Sequence, residues 1–356
     1  MDTVNNLSHQ VANLHVREML PLLSPLDLKA RLPLTPAAAQ TVTAARAAIR
    51  GVLRGDDRRL LVVIGPCSIH DPAAALDYAQ RLARLQRELA SQLVIVMRAY
   101  LEKPRTTLGW RGLINDPYLD GSFDMSAGLT VARELLLELN TLGLPVATEM
   151  LDPISPQYLD DQISLATIGA RTTEAQTHRA LASGVSMPVG FKNGTDGGTQ
   201  VAVNACVSAA GAHSFLGITE DGRSAVVKTT GNPDGFVILR GGRHEPNYQE
   251  EYVVQAARLM REANLHPAVM IDCSHANAEG DFRRQETVWY RVIDQIVTRT
   301  SPIVGMMVES NLVEGKQPLL ADRSALKYGL SLTDGCIGWE TTERLLVETH
   351  HALDRR

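Results

Sequence analysis

The chain has 356 residues, of which 44% are hydrophobic, and a formal net charge of -5 at pH 7. This length and composition allow a sizeable core in one large α/β domain or two smaller ones, and the acidic balance argues against a nucleic-acid-binding protein. No apolar run approaches the roughly 20 residues that a membrane-spanning helix needs. The opening sequence MDTVNNLSHQ has neither a basic nor an apolar stretch, so it does not predict a secretory signal.

The four cysteines are widely separated along the chain. They stand at positions 67, 206, 273 and 336, and none forms a CxxC pair. This spacing argues against a disulfide framework and against a structural zinc knuckle, and it favours a reducing compartment. We therefore expect a cytoplasmic protein.

Residues 1–58 are predicted to form an extension ahead of the main fold. Thr35 followed by Pro36 favours the start of a helix, because the first helical position does not need an amide hydrogen. An alanine-rich stretch continues the pattern, and Gly55 is suited to end the helix.

Beyond residue 58, short apolar runs alternate with longer helical patterns. This alternation indicates a parallel sheet covered by helices, and about eight such units over roughly 300 residues suit a (β/α)8 TIM barrel. An open doubly wound sheet is the alternative, although no GxGxxG motif follows the first strand. The predicted strands span residues 60–64, 93–97, 145–148, 165–168, 187–191, 236–239, 268–271 and 303–308, and the predicted helices span residues 71–90, 127–142, 173–183, 199–210, 248–263 and 284–299.

One segment interrupts the alternation. Residues 213–219 and 224–230 are both strand-like, and the sequence Glu-Asp-Gly-Arg joins them. An Asp-Gly pair between two such runs is a strong signal of a β-hairpin. We therefore predict a β-hairpin inserted at residues 212–232. No linker or internal repeat divides the chain, so residues 1–356 are expected to form a single barrel domain.

A polar side chain follows every predicted strand, at the end where barrel enzymes place their chemistry. The loop 101–117 adds Lys103, Arg105, Thr106 and Arg111 between glycines and prolines. Arginine and lysine bind carboxylates and phosphates, and so many cations at one mouth would repel one another unless a polyanion lay among them. The residues that follow the strands are Cys67, Arg98, Glu149, Arg171, Lys192, Arg240, His275 and Glu309.

The same strand ends also carry residues of the types that bind metal ions. Cys67, His275 and Glu309 are joined, beyond the last strand, by Asp334. A thiolate, an imidazole and two carboxylates suit a first-row divalent metal. These residues come from distant segments, so only the barrel geometry can bring them together. The sequence therefore predicts a metal site for Mn2+, Fe2+, Co2+ or Zn2+.

Eight motifs carry a resemblance to a known family. They are GPCSIHDP (65–72), EKPRTTLGWRGLINDP (102–117), IGARTTEAQTHR (168–179), GFKNGTDG (190–197), ILRGG (238–242), IDCSHAN (271–277), VESNLVEG (308–315) and SLTDGCIGWE (331–340). In this order they resemble the class I 3-deoxy-D-arabino-heptulosonate-7-phosphate (DAHP) synthases, in the group of the feedback-regulated enterobacterial isoenzymes. The resemblance implies condensation of phosphoenolpyruvate with erythrose 4-phosphate, the first step of the shikimate pathway, by a homodimer or homotetramer.

The resemblance also implies roles for individual residues. Lys103 and His275 are the expected catalytic residues, and the surrounding cations predict a lowered pKa that would let Lys103 protonate the aldehyde oxygen. The implied metal ligands are Cys67, His275, Glu309 and Asp334. The implied phosphoenolpyruvate contacts are Arg98, Lys103, Arg171, Lys192 and Arg240 with Glu149 nearby, and the implied erythrose phosphate contacts are Arg105 and Thr106.

An aromatic amino acid is the implied effector. Gly217 stands where phenylalanine-responsive relatives tend to carry serine, which leaves room for a phenol hydroxyl, and Pro153 resembles the tyrosine-responsive type. Tyrosine is therefore the expected inhibitor, in an apolar pocket with a few polar groups. In relatives, this pocket involves positions that correspond to Asp152, Pro156, Gln157, Leu181, Val185, Ser186, Phe215 and Gly217.

Two other functions remain as alternatives. A 3-deoxy-octulosonate-8-phosphate synthase would run the same chemistry on arabinose 5-phosphate, but the KPRT segment and the long extension disfavour it. A non-catalytic metabolite-sensing barrel would be expected to lack a metal ligand or Lys103, and here the set is complete. No nucleic-acid or membrane partner is expected.

Overall fold

A computed structural model describes residues 11–298 and 301–355. Eight parallel strands form a closed barrel, because β1 pairs with both β2 and β10, and a two-stranded sheet of β6 and β7 lies outside it. The predicted barrel is confirmed and the open sheet is excluded. The strands are β1 (Leu60–Gly65), β2 (Leu93–Arg98), β3 (Val146–Glu149), β4 (Leu165–Ile168), β5 (Val189–Lys192), β6 (Ser214–Ile218), β7 (Ser224–Lys228), β8 (Gly235–Leu239), β9 (Val269–Asp272) and β10 (Ile303–Glu309).

Helices alternate with the barrel strands. Predicted and observed ends agree to within three residues, although the predicted end at Arg299 lies outside the described residues. No helix of the described chain is long and apolar enough to cross a membrane. The helices are α1 (Pro25–Arg31), α2 (Pro36–Arg54), α3 (Pro72–Glu88), α4 (Met125–Thr141), α5 (Pro156–Leu159), α6 (Gln176–Ala182), α7 (Gln200–Ala210), α8 (Glu250–Glu262), α9 (Arg284–Thr298) and α10 (Trp339–Asp354), and short 3-10 turns span Asp160–Gln162, His275–Ala278 and Arg323–Ala325.

The largest difference from the predicted bounds is at the start of α6. The helix was expected from Thr173 and begins at Gln176. The hydroxyl of Thr173 instead donates to the carbonyl oxygens of Gly169 and Lys192, at 3.0 and 2.9 Å. A side chain that bonds to nearby backbone in this way competes with helix formation, and here it ties the turn after β4 to the end of β5.

The core has an inner and an outer part because side chains alternate along each strand. Leu61 and Val63 of β1 pack into the inner cluster, whereas Val62 and Ile64 join the larger cluster that also holds the helices. Ile49 and Val52 of α2 belong to the inner cluster. The extension therefore contributes apolar side chains to the interior of the barrel.

The inserted hairpin is confirmed and contacts both the extension and a barrel helix. Its strands pair antiparallel, with Leu216 opposite Val226. The amide of Leu26 in α1 donates to the carbonyl oxygen of Glu220 in the turn, at 2.8 Å. Beyond β7, the Thr229 hydroxyl lies 2.6 Å from that of Ser183, which follows α6.

Candidate active site

The carboxyl ends of the barrel strands open into a cleft that encloses about 240 Å³. Parallel strands present these ends on one side of a barrel, so residues distant in sequence meet there. Of the predicted substrate and metal residues, those that line the cleft are Arg98, Lys103, Arg105, Thr106, Glu149, Arg171, Lys192, Arg240, His275 and Asp334.

Arg98 lies at the base of the cleft and is fully buried. Its Nη2 donates to Oε1 of Glu309 at 2.9 Å and to the carbonyl oxygen of Cys67 at 3.1 Å. Its guanidinium carbon lies 3.5 Å from the centre of the Tyr100 ring, within the range of a cation–π contact. These contacts hold Arg98 in one position and partly neutralise it.

Lys192 and His275 share a buried carboxylate that sequence reasoning missed. Nζ of Lys192 lies 2.7 Å, and Nδ1 of His275 2.9 Å, from Oδ2 of Asp272. Burial alone would raise the pKa of Asp272, but His275 and Lys192 hold it well below its usual range. The available signal was an acidic residue directly after the predicted strand 268–271, three residues before His275.

Lys103 lies among acidic groups, and the predicted lowering of its pKa is wrong. Its Nζ is 2.7 Å from the Cys67 sulfur and 3.3 Å from Oδ2 of Asp334. Burial alone would lower the pKa, but Cys67 in its thiolate form and the carboxylates of Glu309 and Asp334 outweigh burial and raise it above the usual value for lysine. Lys103 is therefore a protonated ammonium group.

The four predicted metal ligands come together to different degrees. The ligand atoms of Cys67, Glu309 and Asp334 lie within 4.8 Å of one another. His275 is outside that group, but its Nε2 is 3.9 Å from Oε1 of Glu309. The contact between Nδ1 and Asp272 leaves Nε2 as the nitrogen available to a metal, an arrangement typical of metal-binding histidines. The donor set fits a first-row divalent ion.

The protonation states of two of these ligands follow from their burial. Burial, and then Glu309, raise the pKa of the Cys67 thiol to about 11, so the sulfur keeps its proton at neutral pH unless a cation binds there. Burial also lowers the pKa of His275, against the opposing effect of Asp272. A neutral imidazole is the form that binds metals.

The cations form two groups, which differ in whether they pair with acidic residues of the chain. Arg98, Lys103 and Lys192 at the base each pair with an acidic residue. By contrast, no salt bridge within residues 11–298 and 301–355 involves Arg105, Arg171 or Arg240. Burial, opposed by Asp272 and reinforced by Arg171, lowers the pKa of Arg240. Among the described residues, these three arginines therefore have no carboxylate partner.

The predicted effector residues lie on three segments. Asp152, Pro156 and Gln157 belong to the turn after β3 and to α5, which the Tyr158 hydroxyl ties to the carbonyl oxygen of Leu23 at 2.8 Å. Leu181 lies in the last turn of α6, Val185 and Ser186 lie in the segment after that helix, and Phe215 and Gly217 lie on β6. The segments are linked because α1 contacts the hairpin through Leu26.

A closed parallel barrel with a cationic cleft at the carboxyl ends of its strands is the architecture of a (β/α)8-barrel enzyme that acts on anionic substrates. The family model of the DAHP synthetase I family matches residues 34–347. The chain belongs to this family, and the prediction of a DAHP synthase is confirmed.

Close relatives include enzymes with different effectors. The chain is 53% identical over 342 residues to the Tyr-sensitive phospho-2-dehydro-3-deoxyheptonate aldolase of Escherichia coli, covering 96% of each protein. It is 52% identical over 350 residues to the Phe-sensitive enzyme of that organism, covering 98% of this chain and 99% of the relative. A solved structure of the Francisella tularensis enzyme superposes with a TM-score of 0.93 at 44% identity, covering 96% of this chain and all of that one.

Proposed function

We propose that the barrel-mouth cleft condenses phosphoenolpyruvate with erythrose 4-phosphate at a divalent metal ion. The observation that carries this proposal is the meeting of Cys67, Glu309 and Asp334, whose ligand atoms lie within 4.8 Å of one another beside Lys103. His275 completes the ligand set. When bound, the ion would supply Lewis-acid polarisation of the aldehyde oxygen. Mn2+, Fe2+, Co2+ and Zn2+ all suit these donors.

Phosphoenolpyruvate binds among the cations of the cleft. It carries a carboxylate and a phosphate. Arg171 and Arg240, which form no salt bridge within the part of the chain that the structure describes, are suited to bind them bidentately. Arg98 and Lys192 lie deeper and are fixed by Glu309 and Asp272. Their positions therefore need no reorganisation when the substrate arrives. Glu149 lies on the cleft wall near this substrate.

Erythrose 4-phosphate binds on the side of the cleft formed by the loop after β2. The hydroxyl of Thr106 accepts a hydrogen bond from Nη2 of Arg171 at 2.9 Å, which places the proposed phosphate residues beside the phosphoenolpyruvate site. Arg105 supplies the charge for the second phosphate. Arg111 lines an adjacent open cleft together with Arg105, and its charge adds to the positive electrostatic field that attracts this phosphate.

Lys103 is the proposed proton donor. As the new carbon–carbon bond forms, the aldehyde oxygen gains negative charge, and the Lys103 ammonium gives it a proton. The raised pKa means that the side chain enters the reaction with its proton but is a weak acid, so this role is supported by the position of Lys103 beside the metal ligands Cys67 and Asp334. The new bond leaves C2 of the former phosphoenolpyruvate electron-poor. Water adds there and gives up one proton, which restores the Lys103 ammonium. The carbon–oxygen bond to phosphate then breaks as the new hydroxyl becomes the ketone, and its proton leaves with the phosphate, so that the heptulosonate and inorganic phosphate are the products.

Tyrosine is the proposed feedback inhibitor, at the effector positions between the hairpin, α6 and the turn after β3. Relatives named Tyr-sensitive and Phe-sensitive are almost equally similar to this chain, at 53% and 52% identity. The choice therefore rests on Gly217 and Pro153. A Cβ atom on Gly217 would lie 2.7 Å from Cγ2 of Val227, so a serine at this position would displace Val227 as well as fill space.

We further propose that the protein is a cytoplasmic homodimer or homotetramer whose residues 1–356 form one barrel domain. Four buried free cysteines support a reducing compartment. An association surface is supported by two facing apolar residues on the hairpin, Leu216 and Val226, whose exposed fractions are 86% and 62%.

The proposed reaction is tested by incubating the protein with both substrates and measuring phosphate release and the heptulosonate product. We expect chelation to abolish turnover, and Mn2+, Fe2+ or Co2+ to restore it. Asp334→Asn should also lower the amount of bound metal measured by elemental analysis, whereas Asp322→Asn, at an exposed 3-10 turn, should not. Full turnover in thoroughly chelated protein, or equal turnover with arabinose 5-phosphate, would contradict the proposal.

A further inference from the structure

Glu102 is a buried carboxylate that the proposed chemistry does not use. It precedes Lys103 and is only 4% exposed. Its Oε2 accepts a hydrogen bond from the Ser155 hydroxyl at 2.8 Å. No salt bridge within the described part of the chain involves Glu102, although Lys103, Arg105 and Arg111 lie on the same segment. A buried carboxylate of this kind depends on its hydrogen bonds.

Those hydrogen bonds come from the turn after β3. Ser155 is buried, and its hydroxyl also lies 3.1 Å from the carbonyl oxygen of Asp152. The backbone of Asp152 hydrogen-bonds with Glu102 as well. Pro156, the next residue after Ser155, begins α5. Glu102 is therefore attached to the segment that carries the effector positions Asp152, Pro156 and Gln157.

On its other side, Glu102 belongs to a tightly packed part of the catalytic loop. The amide of Lys103 donates to the carbonyl oxygen of Arg111 at 2.7 Å, and that of Ile114 to Leu101 at 3.2 Å. A Cβ atom on Gly112 would lie 2.4 Å from the carbonyl oxygen of Leu101. These two stretches of backbone are in direct contact. A shift of the Glu102 backbone is therefore passed to Lys103 through these contacts.

We propose that Glu102 is a positioning residue that couples the effector segment 152–157 to Lys103 and Arg105. The hydrogen bonds from Ser155 and Asp152 hold residues 102–107 in the arrangement that the reaction needs. An effector bound at this segment favours a conformation in which Ser155 releases Glu102, and Lys103 and Arg105 then lose their alignment. This inference rests on the effector site of the proposed function and names the route by which that site acts.

Acidic neighbours make this contact sensitive to small displacements. Asp152 and Glu149 face Glu102, and Arg105 and Arg111 line the open cleft beside it without forming an ion pair with it. If Ser155 moves away, the Glu102 carboxylate loses a hydrogen bond and keeps its like-charged neighbours. The two loop conformations therefore differ in free energy at Glu102, as a coupling between sites requires.

The experiment uses Ser155→Ala, Glu102→Ala and the double variant Ser155→Ala/Glu102→Ala. These are compared with Glu102→Gln, which keeps an oxygen that can accept the hydrogen bond from Ser155. Ser164→Ala is the matched control, because Ser164 is also buried but its hydroxyl has no hydrogen-bond partner among the described residues. Two quantities are measured. The first is the tyrosine concentration that halves turnover, and the second is hydrogen exchange of residues 102–107 without effector.

Ser155→Ala and Glu102→Ala both remove the hydrogen bond that favours the active conformation. We therefore expect each to lower turnover without effector and to lower the half-inhibiting concentration of tyrosine about tenfold, within the usual range of coupling between sites. The double variant should show no larger change than either single variant. Exchange of residues 102–107 should increase in both, and Glu102→Gln and Ser164→Ala should resemble the unmodified chain. Unchanged inhibition with unchanged exchange, additive effects in the double variant, or an equal effect of Ser164→Ala would overturn the proposal.

The outcome separates this inference from the effector proposal. If tyrosine, phenylalanine and tryptophan all leave the unmodified chain uninhibited, the proposed feedback site fails, and hydrogen exchange alone decides the role of Glu102. If tyrosine inhibits the unmodified chain and Ser155→Ala equally, the effector proposal stands and the coupling through Glu102 is wrong.

Discussion

Two buried acids near the cleft have opposite pKa shifts because their partners differ. Asp272 contacts Lys192 and His275, and these groups lower its pKa despite complete burial. Glu102 has hydrogen bonds but no cationic partner within the described residues, and burial raises its pKa to about 7. Burial therefore disfavours the charged form of both carboxylates, and only Asp272 has cations in contact that outweigh this effect.

Replacement of Glu102 by glutamine is predicted to stabilise the protein above neutral pH. The pKa rises on folding from 4.5 to about 7, so the folded protein holds a proton that the unfolded chain loses in this window. The contribution of Glu102 to the free energy of unfolding is therefore greatest below pH 4.5 and falls as pH rises through 7, by roughly 3 kcal/mol in total. Thermal melting at pH 5 and pH 8 tests this, with the exposed Glu138→Gln as control.

The gain in melting temperature of Glu102→Gln over the unmodified chain should be larger at pH 8 than at pH 5. Glutamine keeps the oxygen that accepts from Ser155, so the comparison isolates the charge. A gain that is equal at both pH values, or larger at pH 5, would contradict the raised pKa.

Arg105 and Arg171 are predicted to act on different substrates. Arg105→Ala should raise the KM for erythrose 4-phosphate about ten- to hundredfold, the loss expected for a charged hydrogen bond, with a smaller change for phosphoenolpyruvate. Arg171→Ala should do the reverse. Steady-state kinetics with each substrate varied in turn tests this, with the exposed Arg58→Ala as control. Equal losses for both substrates in both variants would refute the division.

At the scale of elements, α4 packs directly on the backbone of the catalytic loop. A Cβ atom on Gly128 of α4 would lie within 2.8 Å of three backbone atoms of Ile114. Gly128→Ala would favour the helix intrinsically by about 1 kcal/mol, but it must push α4 and Ile114 apart, at a cost of typically 1–3 kcal/mol or more. Because Ile114 bonds to Leu101, we predict lower kcat as well as a lower melting temperature.

Gly211→Ala is the control for this prediction. A Cβ atom on Gly211 would meet only the carbonyl oxygen of Ser208, at 3.4 Å, and the backbone conformation there suits any residue. Melting temperature and kcat should stay near those of the unmodified chain. Wild-type behaviour of Gly128→Ala would show that the contact between α4 and the loop does not control the site.

The elements could be predicted from sequence because they depend on local patterns. Apolar runs at strand spacing, the cap at Thr35 and the Asp-Gly hairpin signal each act over a few residues, and the barrel follows from their order. The side chains that follow the strands could be assigned to one end of the barrel, because all its parallel strands end on the same side. Family resemblance, and not local pattern, supplied the substrates and the effector positions.

Pairing within the cleft could not be predicted, because it depends on distances between strands far apart in sequence. Nothing local to Lys103 shows that Cys67 lies 2.7 Å away, so its pKa was predicted in the wrong direction. Asp272 and Glu102 were read as parts of motifs without a role, since a carboxylate's role depends on which cation or hydroxyl reaches it.

For the whole molecule, charge and apolar surface have separate locations. The net charge is -5, yet cations gather at the barrel mouth, where a cleft focuses their field on anionic substrates. The exposed apolar pair Leu216 and Val226 lies on the hairpin, which alternates between exposed and half-buried residues along both strands. One face of the hairpin packs towards the protein, and the other is exposed.

We predict that this outer hairpin face joins copies of the chain. Leu216→Lys should lower the mass measured by light scattering after size exclusion, because it places a charge opposite Val226 in an apolar contact. Val254→Lys, a similar change at a 53% exposed valine of α8, is the control and should leave the mass unchanged. An unmodified chain that runs as a monomer would refute the association itself. An oligomer unaffected by Leu216→Lys would place the interface elsewhere, since a lysine buried without an acidic partner opposes assembly by several kcal/mol.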